Sequence, residues 1–243
     1  MISESRVKIW VHTCAPRLDK LGPTIQSLDE SDAKGKYEIL ECPAGKLDAA
    51  NEWWAETMLR LASEEPEGEG PHCIVRLEDD VIVNHHLLHN VCSWPALGFA
   101  DFGMGLIFNW DGQWPPRAMS QRWTKMPHGQ RDIRELQRLD LDLGGAQGQV
   151  FRADFIPKLV SQISNAQRKC GKGHLIFDWV LTRATRYAGR AVYSHLPSLV
   201  NGHIGSTMGA TGMSHNGHFS HKTYDANWKA GVDPRPSKVY CRG

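Results

Sequence analysis

The chain has 243 residues, 41% hydrophobic and 23% charged, a globular composition long enough to bury a sizeable core. Lys+Arg 28 against Asp+Glu 27 leaves a formal charge of +1, which excludes polyanion binding driven by net charge while leaving room for a local basic patch. No apolar run approaches the roughly 20 residues that cross a bilayer, and MISESRVKIW lacks the apolar stretch of a secretory signal, so no membrane partner is expected.

Val7 to His12 (VKIWVH) predicts a β-strand, followed by Thr13 to Arg17 and a candidate helix from Leu18 to Leu28. Tyr37 to Glu41 predicts a second strand. Asp48 reads as the N-cap of a helix through DAANEWWAETMLRLASEE, whose apolar residues recur at helical spacing, and PEGEGP from Pro66 to Pro71 breaks it. The first half of CIVRLEDDVIV, Cys73 to Val83, suits a buried strand of a parallel sheet. Leu97 to Phe108, apolar and Gly-interrupted, predicts another strand. Further on, the pattern predicts a helix from Ala153 to about Ser164, a helix over Ile176 to Tyr187 and a late strand over Ala191 to Leu196. Strands alternating with helices point to one α/β domain over 1–243, with a mostly parallel central sheet flanked by helices. After Gly205 the chain turns to Gly, His, Ser and Thr, and 205–243 is expected to be a mobile loop or tail. The six cysteines (Cys14, Cys42, Cys73, Cys92, Cys170, Cys241) lack ligand-like spacing and read as thiols of a reducing compartment, so a cytoplasmic location is expected.

The chemistry concentrates at Glu78, Asp79 and Asp80, where the hydrophobic strand ends. Period-two alternation would point Glu78 and Asp80 to one side and Asp79 to the other. Adjacent carboxylates repel unless a cation or donors offset them, and a hard divalent ion such as Mg²⁺ or Mn²⁺ suits an all-oxygen set. Strand carboxyl ends are also where open α/β sheets bind ligands. A solvated acidic turn is the plain alternative. Gly144 to Gly148 (GGAQG) does not read as a dinucleotide fingerprint, because it neither follows the first strand nor opens a helix.

LEDDV after a hydrophobic strand resembles the metal-binding acidic motif of GT-A glycosyltransferases, and HLPSLVNGHIGST, His195 to Thr207, resembles a C-terminal segment of several such families. The resemblance covers most of residues 7–207 in architecture, with specificity in those two motifs. It implies that Asp80 and His203 ligate Mn²⁺ or Mg²⁺, and that Glu78 and Asp79 face the donor ribose, the donor sugar or metal-bound water. It further implies a nucleoside near His12, Thr13 and Arg17, close approach of the sugar at Gly145, and Asp178 as the base that deprotonates the acceptor hydroxyl. Asp178 is equally a natural N-cap, and His203 a loop histidine. Asn51 and Trp54 are further candidates, although aromatics at helical spacing are usually core.

Arg117, Arg122, Lys125, Arg131, Arg134 and Arg138, interleaved with Trp114, Trp123 and His128, suit an anionic or flat acceptor as well as an ordinary solvated loop. His215, His218 and His221 with Lys222 read as a surface tail, a closing loop or a zinc site. The resulting expectation is inverting transfer from a UDP-linked sugar to a glycan, a protein side chain or a hydroxymethylated nucleobase. The rivals are a phosphohydrolase using the same carboxylates with His85 or His203, and a non-catalytic nucleotide-sugar-binding protein.

Overall fold

The computed structural model describes residues 2–43, 47–68, 70–108, 147–170, 180–195, 197–202, 207–208, 213–214 and 224–233. Its centre is a six-stranded sheet built from β1 (Val7–Cys14), β2 (Tyr37–Cys42), β3 (Cys73–Glu78), β5 (Phe102–Leu106), β6 (Gly148–Arg152) and β7 (Ala191–Ser194). The spatial order is β2-β1-β3-β6-β5-β7. The pairs β1–β2, β1–β3 and β5–β7 are parallel, and β6 runs antiparallel between β3 and β5. Five strands therefore point their carboxyl ends the same way. A short strand β4 (Val81–Val83) pairs with β8 (Val200–Gly202), and β9 (Thr207–Met208) pairs with β10 (Met213–Ser214).

Helices cover both faces, which is why β1 and β3 are buried along most of their length rather than alternating with solvent-facing residues. One core packs Val11, Val75, Leu77 and Val150 of the sheet with Leu28 of α1 (Leu21–Asp29) and Leu87 and Val91 of α3 (Leu87–Cys92). The opposite core packs Trp10, Ile74 and Phe151 with Trp54 and Met58 of α2 (Leu47–Ser63). Leu159 of α4 (Ile156–Cys170) and Leu181 and Ala184 of α5 (Leu181–Tyr187) complete that layer. Each such aliphatic side chain, fully buried, contributes about 1.5–3 kcal/mol.

Several expectations change at their boundaries. The helix α2 starts at Leu47, so Asp48 is a first-turn residue and not the N-cap. The strand foreseen from Leu97 begins at Phe102, after a 3₁₀ turn over Pro95–Gly98. Its glycines have a packing reason: a Cβ on Gly105 would lie 2.5 Å from two ring carbons of Trp94. A 3₁₀ turn, Ala153–Phe155, precedes α4, which runs on to Cys170.

Tyr224–Asp233, part of the stretch expected to be loose, lies against β4 and α3. Asn84 Nδ2 donates to the carbonyls of Asp225 (2.6 Å) and Trp228 (3.0 Å), Asn90 Oδ1 accepts from Ala230 N (2.8 Å), and Trp228 is buried. Among the described residues no helix is long and apolar enough to cross a membrane.

Candidate functional site

The parallel register places His12 of β1 beside Glu78 of β3 at the carboxyl edge of the sheet. Beyond Glu78 the strand ends, and Asp79 and Asp80 form a turn before β4. The expected alternation stops there. Both aspartates are 2% exposed, and both reach Arg17, carried on the 3₁₀ turn Ala15–Lys20 after β1. Arg17 Nη2 lies 2.6 Å from Asp79 Oδ1 and 2.6 Å from Asp80 Oδ2. Its Nε donates to Asp79 Oδ1 at 2.8 Å, and Thr13 Oγ1 donates to Asp79 Oδ2 at 2.7 Å. Thr24 Oγ1 on α1 staples the turn backbone by donating to the Asp79 carbonyl at 2.8 Å and accepting from Val81 N at 3.0 Å. Burial works against the charge on Arg17, but the hydrogen bond to Asp79 and the fields of Asp80, Asp79 and Glu78 outweigh it and hold its pKa above the ordinary value.

A second charged group sits deeper. Arg76 of β3 is fully buried and donates through Nη1 to Gln149 Oε1 (3.1 Å) and through Nη2 to His12 Nδ1 (2.8 Å), with Glu78 Oε1 at 3.5 Å. A guanidinium only donates, so His12 Nδ1 accepts and the ring proton of neutral His12 sits on Nε2. Burial, then the charges of Arg76 and Arg17, hold the His12 pKa well below 6.5. The His12 ring stacks on Trp53, with centroids 5.3 Å apart and planes at 27°.

The structure thus brings together His12, Thr13, Arg17, Glu78, Asp79 and Asp80. Trp54 does not belong with them: it is fully buried, edge-on to Phe151 at 6.3 Å, while its neighbour Trp53 stacks on His12, whose ring also lies 5.8 Å from Trp10. Asn51 is half-buried on α2. Arg76, Gln149, Trp53 and Thr24 escaped the sequence reading. A charge two residues before Glu78 in an otherwise apolar strand was a usable signal for Arg76, because period two puts both on one face.

Gly145, Asp178 and His203 lie outside the described residues, as do the basic stretch 114–138 and His215, His218, His221 and Lys222. Gly202, one residue before His203, pairs with Val81, one residue after Asp80. Gln147, two residues after Gly145, accepts from Glu78 N through its carbonyl at 3.1 Å. Val180, two residues after Asp178, is buried in the α2–α4–α5 layer. His85, by contrast, is engaged with the docked segment, its Nδ1 3.0 Å from Asn227 Oδ1.

Among the described residues no three His, Cys, Asp or Glu side chains form a metal cage. Two carboxylate oxygens, Asp79 Oδ1 and Asp80 Oδ2, nevertheless converge on one positively charged nitrogen, Arg17 Nη2, and are donors of the type a hard cation takes. Mg²⁺ and Mn²⁺ take oxygen ligands of this kind.

No family model and no curated protein matches the sequence. Some solved structures share its backbone path in part. The galactosyltransferase LgtC, in complex with donor and acceptor sugar analogs, is 11% identical over 77% of this chain and 73% of its own, with a TM-score of 0.40. Mouse xyloside xylosyltransferase 1, in its apo form, is 10% identical over 78% of this chain and 85% of its own, at 0.43. The glycosyltransferase GlyE of Streptococcus pneumoniae TIGR4 is 9% identical over 77% and 45%, at 0.38. Likeness at this level assigns the chain no substrate.

Proposed function

We propose that this protein is a metal-dependent glycosyltransferase that moves a sugar from a nucleoside-diphosphate donor, UDP-linked, to an acceptor hydroxyl. The observation that carries the reading is the convergence of Asp79 Oδ1 and Asp80 Oδ2 on one cationic nitrogen at the carboxyl end of β3. That is the crevice side, where ligands bind in open α/β sheets.

Asp80 and His203 would hold Mn²⁺ or Mg²⁺, with Glu78 and Asp79 directed to the donor ribose, sugar or ion-bound water. When bound, the ion would offset the charge of the departing diphosphate. The remaining work falls to the chain. His12, neutral and stacked on Trp53, offers a flat wall to the nucleobase. Thr13 fixes Asp79, Gly145 lets the sugar approach the backbone, and Asp178 removes the acceptor proton. A single carboxylate base agrees with inversion at the anomeric carbon. The basic, Trp-bearing stretch 114–138 is assigned to the acceptor, which is a glycan, a protein side chain or a hydroxymethylated nucleobase. A cytoplasmic location completes the reading.

The test is thermal unfolding with nucleoside diphosphates and nucleotide sugars, with and without Mn²⁺. A ligand at a hundred times its Kd contributes about 2.7 kcal/mol, which for a chain of this size raises Tm by about 5–10 °C. One UDP-sugar should give that rise with Mn²⁺ and lose it in Asp80→Asn. No shift with any nucleotide in the presence of Mn²⁺ overturns the donor-site reading. Phosphate release without a glycosylated product points instead to the phosphohydrolase.

A further inference from the structure

Arg17 does for the acidic turn what a bound cation would do. Two carboxylates, each 2% exposed, repel strongly unless a positive charge lies between them, and the guanidinium supplies it through contacts of 2.6 Å to each. A divalent ion takes carboxylate oxygens at about 2.0–2.6 Å, and a guanidinium nitrogen 2.6 Å from Asp80 Oδ2 opposes its uptake there by like-charge repulsion.

Arg17 is also the member of this group best placed to leave. Its side chain is 20% exposed against 2% for both aspartates. The turn stays held without it, because Thr13 Oγ1 bonds Asp79 Oδ2 and Thr24 Oγ1 bonds the Asp79 carbonyl and Val81 N. A planar guanidinium fork matches phosphate as well as it matches carboxylate, so an arginine leaving Asp80 has an obvious second partner in a diphosphate.

Building on the proposed function, we infer that Arg17 is an internal competitor for the cation position: it holds Asp79 and Asp80 until a divalent ion is taken up, then leaves Asp80 and becomes the cationic partner of the donor diphosphate. The consequence is coupled binding. Arg17 opposes ion uptake as long as it has nowhere else to go, and a nucleoside diphosphate removes that opposition. Ion and nucleotide must then strengthen each other by the same factor, since coupling is reciprocal.

Direct binding measurements test this coupling. Free Mn²⁺ would be measured by electron paramagnetic resonance and UDP by titration calorimetry, on the wild type, Arg17→Gln, Arg17→Lys and Asp80→Asn. In the wild type UDP should tighten Mn²⁺ within the 5- to 150-fold range typical of such coupling. Arg17→Gln should bind Mn²⁺ alone about tenfold more tightly and bring the coupling close to one. Arg17→Lys keeps the charge without the fork, so it should still oppose Mn²⁺ and yet respond less to UDP. If Asp80→Asn loses Mn²⁺ while Arg17→Gln keeps wild-type affinity and coupling, the competitor role fails and the site reading survives. If Asp80→Asn binds Mn²⁺ as the wild type does, the site reading fails and takes the competitor role with it.

Discussion

A guanidinium without exposed surface must find its partners inside the protein, and Arg76 finds them mostly in neutral groups, Gln149 and His12, with Glu78 farther off at 3.5 Å. The direct result is control of one imidazole. With Arg76 donating to Nδ1, protonation of His12 would set two positive groups 2.8 Å apart in a buried place, which adds to the desolvation that already disfavours the charge. His12 therefore offers its Nε2–H, and a flat neutral face, at every pH near neutrality. Replacing Arg76 by Met removes both the cation and the donor. Ring-nitrogen NMR should show wild-type His12 neutral, with its proton on Nε2, to well below pH 6.5. In Arg76→Met the titration midpoint should move up toward 6.5 and the tautomer preference should weaken. An unchanged midpoint would mean that burial and Arg17 set the His12 state without Arg76. The same substitution removes the charge-assisted bond from Arg76 Nη1 to Gln149 Oε1, a loss of about 1.5–3 kcal/mol that chemical denaturation would report.

At the scale of elements, the strand β4 is a hub. It continues directly from the acidic turn, pairs with β8, and is followed by Asn84, whose side chain ties down Tyr224–Asp233. Asn84 is fully buried and uses both ends of its amide: Nδ2 donates to the carbonyls of Asp225 and Trp228, and Oδ1 accepts from His86 N (2.7 Å) and Asn90 Nδ2 (2.9 Å). Asp at this position has nearly the same shape but turns two attractive contacts into an oxygen facing two carbonyl oxygens. Each lost bond to a buried carbonyl is worth about 1–3 kcal/mol. In Asn84→Asp, hydrogen exchange across 224–233 should accelerate by at least about tenfold, while amides of β1 and β3 keep their protection. Equal acceleration everywhere would mean that Asn84 supports the whole domain rather than this attachment. Trp228 makes the attachment more than local, since its ring lies 5.8 Å from His195, which itself packs edge-on against Trp94 at 5.0 Å.

For the molecule as a whole, what could be read from the sequence follows from the range of the forces involved. The alternation of strands and helices was legible because VKIWVH, CIVRLE and the apolar spacing of α2 are local signals bounded by polar breakers. β6 was not, since GQVFR after a Gly-rich run was not read as a strand, and its residue pattern is the same whichever way it runs. The break at Asp79 was hidden because Arg17 and Thr24, more than fifty residues earlier, fix it. Helical spacing could not decide which of Trp53 and Trp54 meets His12, and the polar composition after Gly205 concealed that Asn84 and Asn90 hold part of it. The acidic motif itself was legible, whereas Gly145, Asp178 and His203 rest on resemblance alone. The global stability carries a signature from the opposite end of β3. His72 is 6% exposed, neither ring nitrogen has a hydrogen-bond partner among the described residues, and its pKa is lowered by burial and by the charges of Lys8 and Arg6, with Glu65 and Glu64 opposing. Since the unfolded chain binds this proton more readily than the folded one, the favourable contribution is complete above about pH 6.5 and is lost as pH falls below it, with a slope of up to about 1.4 kcal/mol per pH unit until the folded pKa is reached. Urea unfolding of the wild type from pH 8 to pH 5 should show that decline, and His72→Phe, which has no proton to take up, should be flatter across the same interval. Parallel curves for the two proteins would assign the acid sensitivity to other groups.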